Sequence, residues 1–158
     1  MSYKNLKGEK KASGFTIIEV LIVLAIAGLI LLIVFLAVPA LQRNSRNTAV
    51  KNDVQNTLGG IAEFQGANNG KMPDSISDAA VGTVTYALTS GGNPTSISIQ
   101  GSTTVTSTKT APAATTPALG TIAIAIGFKC DSTASPRAAA AVYAIETSSS
   151  TVRQCQES

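Results

Sequence analysis

Hydrophobic and polar positions divide the chain into three textures. Residues 15–41 are almost uniformly apolar, and the nineteen residues 20–38 carry no charge and are interrupted only by Gly28. As a helix rising about 1.5 Å per residue, that stretch spans about 28 Å, which matches the hydrocarbon core of a bilayer. Behind it the pattern becomes amphipathic. Val50, Val54, Leu58, Ile61 and Phe64 fall four, four, three and three apart and form one helical stripe, with Asn47, Lys51, Asn52, Asp53, Gln55, Asn56 and Glu63 expected on the other faces. The spacing predicts a helix over about 42–69 that lays its stripe on an apolar surface. Gly59-Gly60 weakens it locally, and Asn68-Asn69-Gly70 followed by Pro73 is a stop signal. From residue 81 the period switches to two. Segments 81–88, 95–100, 102–108, 118–128, 138–146 and 151–154 read as short strands, clearest where Ile122, Ile124, Ile126 and Phe128 alternate with Ala and Gly. An antiparallel sheet over about 81–155, packed on the amphipathic helix, follows because neither layer can bury its apolar face alone. The fold class is α+β. The Ser/Thr/Ala/Pro-rich segment 106–117 reads as a hairpin tip or a loose surface loop.

Composition narrows the chemistry. Of the net charge of +3, all is accounted for by Lys4, Lys7, Lys10 and Lys11 against Glu9, so the remainder is neutral and no direct nucleic-acid site is evident. The chain contains no histidine, which removes His-based general base catalysis and the commonest nitrogen ligand for metals. No metal site, cofactor or catalytic residue is indicated; Asp74, Asp78 and Glu146 have no catalytic partner in the sequence. Lysines precede the apolar run and only Arg43 and Arg46 follow it closely, so the positive-inside rule places the N-terminus in the cytoplasm and the head outside.

Two ordinary readings of the N-terminus compete. A secretory signal has an apolar region of about 7–15 residues before small residues at the cut; this run is longer, and Val38-Pro39-Ala40 is a poor site. A permanent anchor fits the length but leaves Glu19 unexplained. That carboxylate lies at the entrance of the apolar run, where the helix dipole favours it and burial in lipid penalises it.

The string Lys10-Lys11-Ala12-Ser13-Gly14-Phe15-Thr16-Ile17-Ile18-Glu19-Val20-Leu21-Ile22-Val23-Leu24-Ala25-Ile26 resembles the processing and assembly signal of type IV pilins and of the pseudopilins of type II secretion. The resemblance implies a leader, 1–14, cut after Gly14 by a membrane-embedded prepilin peptidase and an N-methyl group on Phe15. It implies a hydrophobic helix, 15–41, kept in the mature protein as transmembrane segment and filament core, and a globular head, 42–158. It also implies that Glu19 pairs with the N-terminus of a neighbouring subunit during docking, as an assembly residue. Gly28 and Pro39 are the helix-weakening positions where the run is expected to bend or unwind; many family members carry the proline three residues nearer the N-terminus. Asn69-Gly70-Lys71-Met72-Pro73 is similar to the end of the long pilin helix, with Met72 where an aromatic residue is usual.

Cys130 and Cys155 lie on the exported side of the apolar run, and one disulfide is expected there, against the alternative of two free thiols. In pilins a C-terminal disulfide loop bounds the variable region, and residues 130–155 correspond to it by position. The expected function is a structural subunit of a type IV pilus, a homo-oligomeric filament. Its precursor sits in the inner membrane and its mature form in the extracellular pilus, with the prepilin peptidase and assembly machinery as partners. The alternative within the family is a pseudopilin of a secretion or DNA-uptake machine. An anchored enzyme has no candidate site, and an anchored adhesin is the remaining class.

Overall fold

The computed structural model describes residues 14–80, 82–100 and 103–158. The expected leader up to Ser13 and the expected strand starts at Val81 and Ser102 lie outside the described residues. The chain divides into two compact units, Met1–Pro39 and Ala40–Ser158. One helix, α1 (Ile17–Ala67), crosses the division and is helical through both Gly28 and Pro39.

In the first unit the large apolar side chains of α1 are exposed, from Ile17 to Val38, as is Phe15 ahead of the helix. The second unit is where burial begins. Val54, Leu58, Ile61 and Phe64 form the buried side of α1, with Val50 packed at its margin, so the predicted stripe is the core face. The helix ends at Ala67 in a left-handed cap: Asn69 has φ 53°, Gly70 has φ 77°, and Gly70 N donates to Gln65 O at 2.7 Å. That six-to-one bond is the Schellman arrangement, which satisfies an orphan carbonyl of the last turn.

The strands are β1 (Ser75–Ala80), β2 (Thr83–Ala87), β3 (Thr95–Ser98), β4 (Thr104–Thr108), β5 (Thr121–Phe128), β6 (Ala134–Glu146) and β7 (Thr151–Glu157). They form two sheets, β1-β2-β3 and β4-β5-β6-β7, where the sequence pattern predicts one. All pairs are antiparallel except β4–β5, which is parallel. Side chains bridge the two sheets where a backbone ladder would otherwise continue. Ser107 Oγ accepts from Ile76 N at 2.9 Å and donates to Ile76 O at 2.7 Å, and Asp78 Oδ2 accepts from Val105 N at 2.8 Å. The first strand lies outside the predicted set. Its sequence, SISDAA, has weak strand propensity, and pairing with β2 decides its conformation, as context commonly does for strands.

Segment 106–117 is not a hairpin tip but lies largely on the surface, as the loop expectation has it. Its first residues complete β4, and the remainder belongs to the 109–120 connection that parallel pairing requires. This connection lies on the face of the second sheet turned away from α1: Pro112 is buried and Arg153 Nε donates to Ala113 O at 3.0 Å. Arg153 pairs with Ala144 and Cys155 with Val142, and side chains of paired residues share a face. Ala138, Ala140, Val142 and Ala144 are therefore buried beneath cover, while Ala139, Ala141 and Tyr143 face the helix. Small residues on the outer side of β6 let the connection lie close.

Core packing joins Ile76, Val84 and Tyr86 of the first sheet and Val105, Ile122, Ile124 and Ile126 of the second to the helical stripe. Tyr86 is central: its ring centroid lies 6.4 Å from that of Phe64, and its hydroxyl donates to Thr57 O at 2.8 Å. Burial pushes the phenol above its ordinary pKa. A Cβ at Gly60 would lie 2.5 Å from Tyr86 Oη and 2.7 Å from two ring carbons, whereas a Cβ at Gly59 meets open space. The Gly59-Gly60 pair is thus two different sites: Gly60 admits the tyrosine, and Gly59 only loosens the helix.

Asp53 is a correction to the sequence reading, which placed it on a polar outer face. It is fully buried, accepts from Gln100 N at 2.9 Å and from the Thr103 hydroxyl, and so fastens the β3–β4 connection to α1. Near the start of the head, Arg46 grips Glu146 with two bonds of 2.6 Å. Asn47 exchanges two 2.8 Å bonds with the Glu146 backbone. Arg46 holds the Glu146 carboxyl below the usual carboxylate range. The folded state therefore binds this proton less readily than the unfolded chain. Its contribution to stability is complete above about pH 4.3 and is lost as pH falls through the lower folded value.

Cys130, in the β5–β6 turn, is bonded to Cys155 in β7 with a Cα separation of 5.9 Å and a sequence separation of 25. The expected single disulfide is present. A loop of that size stabilises by about 3 kcal/mol in the chain-entropy account.

Two outcomes are expected in thermal unfolding of the detergent-solubilised chain. Gly59→Ala should stabilise by up to about 1 kcal/mol through helix propensity, while Gly60→Ala should destabilise by about 1–3 kcal/mol through overpacking against Tyr86. Glu146→Gln should melt below the wild type at neutral pH, and the gap should close on acidification toward about pH 3.

Candidate functional site

Helix formation at the N-terminus of α1 starts from one residue pair. Thr16 precedes the first helical residue and Glu19 is the third within the helix, which is the spacing of a capping box. The reciprocal bonds are present. Glu19 Oε2 accepts from Thr16 N at 2.8 Å and from the Thr16 hydroxyl at 2.7 Å, and Glu19 N donates to Thr16 Oγ1 at 3.3 Å. Two backbone donors that the first turn would otherwise leave open are satisfied, and the carboxylate lies at the positive end of the helix dipole.

The residues singled out in the sequence fall into separate places. Gly14 and Phe15 are exposed immediately ahead of the helix, Phe15 at 89 %, and Glu19 sits one turn on, beside the apolar side chains of Val20, Val23 and Leu24. Gly28 lies inside α1, where an added Cβ would meet nothing, and Pro39 closes the first unit. The Cys130–Cys155 bond belongs to the second unit. Thr16 is the residue the sequence reading passed over. The signal was available in the Thr-x-x-Glu spacing ahead of an apolar run.

Asp74, Asp78 and Glu146 have structural partners. Asp74 accepts from Thr89 N at 2.9 Å and pairs with Lys109 at 2.5 Å, which lowers its pKa; Asp78 holds β4 and Glu146 holds α1. Among the described residues no group of three or more acidic or cysteine side chains is placed to hold a metal ion. No buried side-chain polar atom among them lacks a hydrogen-bond partner.

Removing the Thr16 hydroxyl isolates the capping term. Thr16→Val should raise amide exchange at Glu19, whose amide loses its acceptor, about fivefold, the weight of an N-cap of about 1 kcal/mol, measured by NMR in micelles. Melting of the head should not change.

No curated protein and no solved structure gives a significant match to the chain. Residues 10–35 match a family model described as the prokaryotic N-terminal methylation motif. Gly14, Phe15, Thr16, Glu19 and Gly28 all fall within the matched residues. Together with the exposed apolar helix, the pilin-like α+β head and the C-terminal disulfide, this match means that the chain carries the signal peptide of a type IV pilin-like or pseudopilin precursor.

Proposed function

We propose that this chain is a structural subunit of a type IV pilus, not a catalyst, cut after Gly14 by prepilin peptidase, N-methylated on Phe15 and assembled into a filament of identical copies. The observation that carries the proposal is an apolar helical surface that none of the described residues covers, headed by a capped glutamate. Such a surface is stable in lipid as a precursor. It is equally stable against other apolar helices, where removal from water is worth about 25 cal/mol per Å².

Cleavage after Gly14 leaves the Phe15–Thr16 peptide bond intact, so the Thr16 amide still serves Glu19 in the mature chain. The new α-amino group appears on Phe15, beside the carboxylate in its own chain and available to the carboxylate of a neighbour. Opposite charges in a low-dielectric bundle are costly to leave alone, so the pair sets axial register more than it adds net stability. Gly28 and Pro39 supply the positions at which a subunit can unwind locally as it packs, because proline removes one helical hydrogen bond and glycine adds backbone freedom. The disulfide-tied C-terminal region favours a pilus subunit over a pseudopilin of a secretion or DNA-uptake machine, by resemblance to the pilin D-region.

Two measurements on cells with a prepilin peptidase test this reading. Intact-mass and N-terminal analysis should find a chain beginning at Phe15 with one added methyl group; an uncut leader, or a start after Ala40, would refute it. Electron microscopy of sheared material should show filaments from the wild type. Glu19→Ala should give few or none while Gly14 is still cut, and normal filaments from that variant would remove the assembly role.

A further inference from the structure

The C-terminal cap of α1 contains the one Asn-Gly pair in the sequence, Asn69-Gly70. In such a pair the glycine amide nitrogen attacks the asparagine side-chain carbonyl carbon. The new N–Cγ bond closes a five-membered succinimide, the Cγ–Nδ2 bond breaks, and the side-chain nitrogen leaves as ammonia with the proton shed by the amide. Water then opens the ring at either carbonyl to give aspartate or isoaspartate. The reaction consumes only water, and glycine speeds it because no Cβ obstructs the approaching nitrogen.

Asn69 is exposed to the water that the reaction needs, but the attacking atom is held. Gly70 N donates to Gln65 O at 2.7 Å, and Asn69 is fixed in the left-handed region at φ 53°. To reach Cγ the nitrogen must swing about the Asn69 Cα–C bond, which carries its hydrogen away from Gln65 O. The neighbouring side chain clamps the same turn. Asn68 is buried, its Nδ2 donates to Phe64 O and Asn93 O at 3.0 Å each, and its Oδ1 accepts from Asn93 N at 3.0 Å.

We propose that Asn69 is a latent self-modification site, guarded in the folded chain by the helix cap and converted to aspartate or isoaspartate when that cap opens. Conversion is irreversible and damages its own guard. Isoaspartate adds a methylene to the main chain between Gln65 and Gly70 and removes the geometry of the six-to-one bond. Aspartate places a negative charge at the negative end of the helix dipole.

The test incubates the oxidised full-length chain in detergent, and the same chain reduced and unfolded in guanidinium, at mildly alkaline pH. Peptide mapping follows the amide-to-acid mass change, with electron-transfer fragmentation to separate Asn69 from Asn68 and Asn56. In the unfolded chain Asn69 should convert fastest of these, and in the folded chain about tenfold or more slowly, the protection that local opening confers. Equal rates in the two states, or no preference for Asn69 in the unfolded chain, would overturn the proposal. Asn68→Ala keeps the Asn69-Gly70 pair and loosens the clamp. Acceleration in the folded variant confined to Asn69 supports a local guard; no acceleration, or acceleration shared with Asn56, rejects it.

Discussion

A sleeve of leucine, isoleucine and valine side chains that none of the described residues covers is the constraint that governs the first unit. From Phe15 to Leu41 the large apolar residues are exposed, and water is a poor solvent for all of them. The run has the length of a bilayer's hydrocarbon core, and its surface is satisfied only by lipid or by other apolar side chains. Glu19 is the exception within this sleeve, and the structure shows how a lone carboxylate is tolerated there. One of its oxygens, Oε2, accepts from both the amide and the hydroxyl of Thr16. A partner that takes that oxygen competes with an existing pair of bonds.

The same helix meets a different requirement in the second unit, where its buried stripe supplies one wall of the core. Here polar side chains do the fastening. Asp53 holds the β3–β4 connection, Arg46 and Asn47 hold the end of β6, and Ser107 and Asp78 close the seam between sheets. With an alanine-rich central strand and few aromatic side chains, the head has less apolar volume to bury than a typical domain. Directed hydrogen bonds and a disulfide fix the positions that bulk would otherwise fix.

What could be read from the chain alone followed from period and chemistry. The stripe from Val54 to Phe64, the helix stop at Asn69-Gly70, the alternation of Ile122, Ile124 and Ile126 and the cysteine pair are local or compositional signals, and each matches the structure. The methylation motif was legible for the same reason, since its residues are contiguous. Features made by distant residues were not legible. β1 exists because β2 pairs with it, Asp53 is inside because a turn about fifty residues later folds over it, and the parallel β4–β5 pair gives no signature distinct from a hairpin. Gly60 illustrates the limit well: as a letter it equals Gly59, and only Tyr86 separates them.

The 109–120 connection has a kinetic consequence. β5, β6 and β7 form a meander whose turns close short loops, so their ladders can zip from local nuclei. β4 must instead wait until twelve residues have traversed the outer side of that meander, with the entropy of closing the loop spent before any parallel bond is made. Docking of this strap, pinned by Pro112 and Arg153, is then a late event in maturation of the head. Under the same conditions microscopic reversibility makes its release an early event when the head unfolds.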